Sequence, residues 1–127
     1  MRKAITALIA MTCVLAFCGE RVQAQVPGTV TVGFRNRADV NVIVKGYTLV
    51  NGQPRAGGNL PLSKKEGVAF ERNVPPGVRY YTIYDASTFR ILLRDHPVPI
   101  QNRDVSLQIV PSPTNPTRLN IIPDNGP

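Results

Sequence analysis

Glycine and proline interrupt this chain about every ten residues, and this spacing limits what the chain can fold into. The sequence holds 10 glycines and 12 prolines. The segments between them are rich in Val, Ile, Thr and Tyr, the residues that favour strands. Beyond residue 24 no window keeps the 3.6-residue apolar period of an amphipathic helix. The pattern therefore predicts an all-β protein with about seven or eight short strands.

The predicted strands cover residues 29–34, 40–50, 68–73, 78–84, 89–94, 104–110 and 119–122. Residues 40–50 are apolar on both faces, as in a central strand, and Asn51-Gly52 after them suits a tight turn at positive φ. We expect 78–84 and 89–94 to form a hairpin at the centre of one sheet. His96-Pro97-Val98-Pro99 suits an edge or a crossover, because proline cannot donate a ladder hydrogen bond.

This number of strands in about 100 residues indicates one domain. The expected architecture is a single antiparallel β-sandwich. A small open β-barrel is the alternative, since it is also built from short strands with regular turns.

The first 24 residues have the layout of a secretory signal peptide. Arg2 and Lys3 precede an apolar run from Ala4 to Phe17, and cleavage is expected between Ala24 and Gln25. About 14 apolar residues span about 21 Å as a helix, less than the roughly 30 Å of a bilayer core. We expect a helical signal peptide at 1–24, a β-sandwich domain at 25–122 and a flexible tail at 123–127. The exported chain would reach the periplasm or the extracellular space.

Both cysteines of the chain, Cys13 and Cys18, lie within this leader. Cleavage after Ala24 would leave no thiol for a disulfide, a metal site or a nucleophile. The alternative is a lipoprotein, because Leu15-Ala16-Phe17-Cys18-Gly19 loosely resembles a bacterial lipobox. In that case Cys18 would carry the acyl chains that anchor the protein to a membrane.

Catalytic chemistry finds little support in the sequence. His96 is the only histidine, and Asp95 beside it would project to the opposite face of a strand, so it could not easily orient the imidazole. Zinc needs three or four ligands, and no Asp-x-Asp loop for calcium is present. Phosphate-binding and dinucleotide motifs are absent from residues 25–127 as well, so we expect neither a cofactor nor a bound metal. A weak hydrolase or metal-dependent protein that uses Asp95 and His96 remains the alternative function.

Basic residues give the strongest indication of a partner. Without residues 1–24, twelve cations stand against seven acids, a net charge of about +5. Most of the cations are arginines, which bind carboxylates and phosphates bidentately and stack on aromatic rings. The candidate binding surface consists of Arg79, Tyr80, Tyr81, Tyr84, Arg90 and Arg94.

An envelope protein or an anionic envelope polymer would suit this candidate surface, whereas nucleic acid is not expected outside the cell. The other interpretation is that the arginines are spread over solvent-facing positions and keep an edge-rich sheet from aggregating. Together these features predict a non-catalytic exported module with a binding or structural role.

One stretch carries a local resemblance to a known family. Phe70-Glu71-Arg72-Asn73-Val74-Pro75-Pro76-Gly77-Val78-Arg79-Tyr80 resembles the phenylalanine, Pro-Pro-Gly, tyrosine corner of transthyretin-like domains, which include regulatory domains of some carboxypeptidases. Those domains are non-catalytic sandwiches, so the resemblance implies the same fold and a role without catalysis. The whole layout is also similar to short exported bacterial β-sandwich proteins of unknown function.

Overall fold

The computed structural model describes residues 28–124, which fold as two facing β-sheets. This range contains nine strands, namely β1 (Val30–Asn36), β2 (Val42–Val50), β3 (Gln53–Ala56), β4 (Leu60–Leu62), β5 (Gly67–Val74), β6 (Gly77–Asp85), β7 (Ile91–Ile100), β8 (Val105–Pro111) and β9 (Leu119–Pro123). The predicted all-β sandwich is confirmed, and the two sheets do not close into the alternative barrel. Within residues 28–124 no helix is long and apolar enough to cross a membrane.

Several predictions about the chain termini fall on residues that the structure does not describe. The signal peptide at 1–24, cleavage between Ala24 and Gln25, and the lipoprotein alternative at Cys18 all lie outside the described residues. At the other end, Pro123 closes β9, and the Asp124 carboxylate accepts a hydrogen bond from Arg35 Nε at 3.1 Å. The start of the predicted tail is therefore tied to the sheet.

The first sheet has the strand order β5-β1-β8-β9, and the second has the order β3-β2-β6-β7 with β4 also paired to β2. One pair departs from the antiparallel prediction, because β1 and β8 run parallel, with Val32 opposite Val105. Residues 101–104 carry the chain from β7 in the second sheet to β8 in the first. This crossing lets β8 run beside β1 in the same direction, which a hairpin would not allow.

The core lies between the sheets and follows the period-two pattern of the strands. Val32 and Phe34 of β1 face Val44 and Tyr81 from the second sheet, and all four side chains are buried. The Phe34 and Tyr81 rings meet edge to face, with their centroids 4.9 Å apart. This geometry is a preferred one for aromatic pairs and fixes the spacing of the two sheets at their centre.

Two predictions about the second sheet meet different outcomes. β2 is central, as predicted, since β6 pairs on one side and β3 and β4 pair on the other. The hairpin of β6 and β7 also forms, but only β6 is central, and β7 is an edge strand that continues through Pro97 and Pro99. The prediction that 89–94 lies at the centre of the sheet is therefore wrong. Pro97 and Pro99 suit this edge position, because β7 has no backbone donor at these two residues.

Candidate functional site

The outer face of the second sheet carries a row of polar and aromatic side chains. Antiparallel pairing of β2 with β6 sets Tyr47 opposite Tyr80, Lys45 opposite Thr82, and Ile43 opposite Tyr84. Opposed residues in a sheet point to the same face, so these six side chains share one surface. The two strands thus have a buried side and an outer side, and the outer side carries three tyrosines.

A groove crosses this outer face where one edge of β2 is left open. β3 pairs with β2 from Tyr47 to Val50, and β4 pairs with it from Val42 to Val44, so nothing pairs in a strand with Lys45 and Gly46 on that edge. The chain between β3 and β4 bends around the gap, and the Gly57 N–H donates to the Gly46 carbonyl at 2.9 Å.

The resulting groove has a volume of about 460 Å³. Its side chains include Lys45, Tyr47, Asn59, Thr82, Tyr84, Arg94 and Asp95.

Aromatic rings mark the two ends of the groove. At one end Tyr47 and Tyr80 are stacked, with their centroids 5.3 Å apart and an interplanar angle of 27°. At the other end the Lys45 ammonium lies 5.6 Å from the centroid of the Tyr84 ring, a cation–π distance. The centre of the groove is polar, since Thr82 lies between Tyr80 and Tyr84 on β6.

A β-bulge in β7 directs Asp95 into the groove. The pairing of β6 and β7 shifts register between Tyr81 and Tyr84, and Asp95 takes a positive φ of 47° there. Its N–H donates to Thr82 Oγ1 at 3.1 Å, while Thr82 Oγ1 lies 3.4 Å from a carboxylate oxygen of Asp95. Aspartate tolerates this backbone conformation better than most residues, so the local sequence suits the bulge.

The groove is positively charged and rich in hydrogen-bond donors. Lys45 and Arg94 supply two cations against the single carboxylate of Asp95. Among residues 28–124, neither cation has a side-chain hydrogen bond or an ion pair, apart from the cation–π contact of Lys45. Partial burial, followed by the charge of Asp95, raises the pKa of Tyr47 above its ordinary value.

Phe89 stands beside this groove in the turn between β6 and β7. It helps to line a smaller hollow of about 140 Å³ together with Lys45, Asn59 and Tyr84. Its side chain is 66% exposed, and its φ of 60° lies in the left-handed region, which is unfavourable for a bulky residue. Residues held in such backbone conformations concentrate at functional sites. The strained backbone of Phe89 therefore agrees with the position of the groove next to it.

Beneath the groove lies a buried ion pair that joins the two sheets. Arg79 of β6 donates to Glu71 of β5 through Nε at 3.0 Å and through Nη2 at 2.5 Å. Arg79 Nη1 also donates to Thr48 Oγ1 at 2.8 Å, and the Tyr81 hydroxyl donates to Glu71 Oε1 at 2.8 Å. Burial, followed by the charge of Glu71, raises the pKa of Tyr81 far above its usual value.

Glycines form the groove floor because this network lies directly under it. A Cβ added at Gly46 would come within 2.5 Å of the Tyr81 ring, and one added at Gly57 would collide with the Glu71 carboxylate. Arg79 Nη2 donates to the Gly46 carbonyl at 3.3 Å, which connects the floor to the ion pair. The buried network therefore supports the groove from below.

The structure divides the six residues of the predicted binding surface into three groups. Tyr80 and Tyr84 lie on the outer face and Arg94 lines the groove, whereas Arg90 lies outside it and hydrogen-bonds the Thr117 carbonyl at 3.5 Å. Arg79 is 3% exposed and Tyr81 is fully buried, so neither contributes to a surface.

The surface prediction was wrong for Arg79 and Tyr81 because side chains alternate along β6 and these two point inward. Lys45 and Tyr47 were missed as groove residues. The signal that would have found them is the second face of β2, on which Ile43, Lys45 and Tyr47 alternate with the buried valines.

Asp95 and His96 do not form a catalytic pair in this geometry. Asp95 faces the outer groove, whereas His96 lies opposite the inward-pointing Tyr81 in the pairing of β6 and β7. Partial burial lowers the pKa of His96. Across residues 28–124, no three side chains of His, Cys, Asp or Glu come together as a metal site would need.

Phe70 and the turn at Pro75-Pro76-Gly77 carried the resemblance to transthyretin-like domains. The turn connects β5 of the first sheet to β6 of the second. Phe70 is 56% exposed, and its ring covers Gly33 of the neighbouring strand, at 3.1 Å from the position that a Cβ would take. An aromatic ring packed over a glycine stabilises that glycine in a strand, so the role of Phe70 here is structural.

Comparisons with known proteins support the fold. No protein-family model and no curated protein matches the chain. The NMR structure of a protein from Eubacterium rectale is similar, with a TM-score of 0.52 and 14% identity over 82% of this chain and 97% of that chain. A structure described as a trapped toxin matches with a TM-score of 0.36 and 10% identity, over 76% of this chain and 24% of that chain. The resemblance to transthyretin-like domains stays a prediction.

Proposed function

We propose that this protein is a non-catalytic, exported binding module that holds an anionic polymer of the cell envelope in its groove. The observation that carries the proposal is the pair of cations, Lys45 and Arg94, which line the groove and form no salt bridge or side-chain hydrogen bond within residues 28–124. A cation that is already paired offers little to a ligand, whereas an unpaired one at a groove attracts anions from a distance. Stacked tyrosines at the groove end add apolar contact area for the same ligand.

The edges of the second sheet support binding through a face. An edge strand can recruit a partner strand only through free backbone donors and acceptors. Pro54 lies in β3, and Pro97 and Pro99 lie in β7, so both edges of this sheet lack donors at these positions. Strand addition is therefore disfavoured at these positions, which favours binding through the outer face of this sheet.

The test of this proposal measures binding of the purified protein to three polymers: polygalacturonate, polyphosphate and neutral dextran. A variant with Lys45→Ala and Arg94→Ala removes the groove cations. Its control, Lys64→Ala with Arg103→Ala, removes the same charge from exposed positions outside the groove. Isothermal titration calorimetry at low and high salt gives the affinities.

We expect at least one polyanion to bind and dextran not to bind. The groove variant should lose about tenfold or more in affinity, as expected for charge-assisted hydrogen bonds, and the control variant much less. Equal losses of affinity in the two variants would mean that the polyanion is attracted non-specifically to a basic protein, which would contradict the proposed groove site. Failure of both polyanions to bind would overturn the proposal.

A further inference from the structure

The chemistry of the groove specifies its ligand more closely than charge alone. We infer that the groove binds an extended chain of carboxylate-bearing sugars, with pyranose rings on the tyrosines and a carboxylate at the cations. This inference rests on the proposed function and adds the class of polymer. Three properties of the groove carry it: the position of its rings, the position of its cations and the presence of one acid.

The rings are placed for an extended ligand with apolar faces. Tyr80 and Tyr84 lie on the same face of β6, four residues apart, which corresponds to about 13 Å along a strand. Stacked Tyr47 and Tyr80 form one platform, and Tyr84 forms the other. The C–H faces of a pyranose ring pack well on the electron-rich face of an aromatic ring. Two platforms at this separation favour an oligosaccharide over a single sugar.

The cations lie at the groove walls, where a carboxylate can meet them. The Lys45 ammonium lies 5.6 Å from the centroid of the Tyr84 ring, at one end of the groove, and Arg94 lines the same groove. The guanidinium of arginine matches the two oxygens of a carboxylate, which gives a bidentate contact. A neutral proline-rich peptide would also use the aromatic rings, but it would leave both cations without a counter-charge.

Asp95 distinguishes a sugar acid from a polymer of phosphates. A carboxylate only accepts hydrogen bonds, and that of Asp95 lines the groove and accepts one from Thr82 Oγ1 at 3.4 Å. Sugar hydroxyls donate to such a group, whereas a polyphosphate chain offers no donors and would be repelled by its charge. A groove built for dense negative charge would not place an acid beside its cations.

The experiment compares four ligands at one ionic strength by calorimetry: oligogalacturonates of increasing length, their methyl esters, a polyphosphate and a proline-rich peptide. The esters keep the sugar rings and lose the charge. Affinity for the acid series should increase with length until the ligand reaches both tyrosine platforms. Esterification should cost about tenfold or more.

Three variants test the roles of the side chains. Tyr84→Ala should weaken oligogalacturonate binding, whereas Tyr84→Phe keeps the ring and should retain most of it. Asp95→Asn preserves the shape of the side chain and suits the positive φ. This variant should bind oligogalacturonate more weakly and polyphosphate more tightly than the original protein. Circular dichroism spectra and urea midpoints of the variants establish that each is folded.

The outcomes separate this inference from the proposed function. If polyphosphate binds in the groove and oligogalacturonates do not, the sugar assignment is wrong while the anionic-polymer function stands. Preferential binding of the methyl esters or of the proline-rich peptide would also overturn the sugar-acid assignment. If no polyanion binds at all, both proposals fall together.

Discussion

Glu71 and Arg79 are joined by two hydrogen bonds across the interior of the sandwich, with Nε–Oε1 at 3.0 Å and Nη2–Oε2 at 2.5 Å. Glu71 belongs to the first sheet and Arg79 to the second, so the pair connects the two layers. Their side chains are only 7% and 3% exposed. Because both charges are desolvated, each depends on the other, and on Tyr81 and Thr48, for its hydrogen bonds.

Breaking this pair should destabilise the protein strongly. Glu71→Gln keeps the size of the side chain but leaves the Arg79 charge buried without a counter-ion. We expect the free energy of unfolding to fall by about 3–5 kcal/mol, measured by urea denaturation. Replacement of both partners, Glu71→Gln with Arg79→Met, should cost less than the sum of the two single variants. A loss below about 1 kcal/mol for Glu71→Gln would mean that the charge is solvated and not buried.

Gly57 of the groove floor and its neighbour Gly58 should respond very differently to replacement by alanine. A Cβ at Gly57 would collide with the Glu71 carboxylate, whereas a Cβ at Gly58 has no neighbouring atom within 4 Å. Gly57→Ala is therefore expected to cost about 1–3 kcal/mol through overpacking against the ion pair. Gly58→Ala is the matched control and should be neutral or slightly stabilising. Urea unfolding of both variants provides the comparison, and equal effects would contradict the close packing of Gly57 on the Glu71 carboxylate.

The turn before β7 offers a test of backbone strain. Phe89 holds a φ of 60° and is 66% exposed, so replacement by glycine relieves the strain and loses little buried area. Phe89→Gly is expected to raise the free energy of unfolding by about 0.5–1 kcal/mol. Ser87 lies in the same turn and has no positive φ, so Ser87→Gly relieves no strain and should lower the free energy of unfolding. Thermal unfolding of the two variants shows whether their midpoints move in opposite directions.

Local patterns in the sequence were enough to predict much of the fold. Period-two alternation located β2 and β6, and Asn51-Gly52 takes the positive φ values of 53° and 78° expected of a tight hairpin turn. β3 was missed because its four residues are all exposed and show no apolar alternation. The parallel pairing of β1 with β8 joins segments about 70 residues apart, and no local signal encodes such a contact.

The candidate site was harder to predict for a related reason. Alternation along 79–84 establishes that Arg79 and Tyr81 share one face and Tyr80 and Tyr84 the other. It does not establish which face is buried, because arginine and tyrosine both occur inside and outside proteins. Burial of Arg79 depends on Glu71, which lies on the opposite sheet. Only the assembled fold provides that partner.

His96 should make the stability of the protein depend on pH in a defined window. Partial burial lowers the pKa of His96 in the folded state below its ordinary value of 6.5. As the pH falls from about 7 to 5, the unfolded chain therefore binds a proton before the folded chain does. The free energy of unfolding should decrease over this range, and the contribution of this group should become constant below its folded pKa. Since His96 is the only histidine of the chain, removing it tests whether it causes the effect.

The matched variant is His96→Gln, which keeps a polar side chain of similar size and does not titrate. Urea unfolding of both proteins at pH 5, 6 and 7 gives the two pH profiles. We expect a smaller decrease toward pH 5 in the variant than in the original protein. A parallel pair of profiles, or greater stability of the original protein at pH 5 than at pH 7, would mean that the imidazole is as well solvated in the folded chain as in the unfolded one. Because His96 lies opposite Tyr81, that result would also argue that the edge of β7 opens to water next to the buried ion pair.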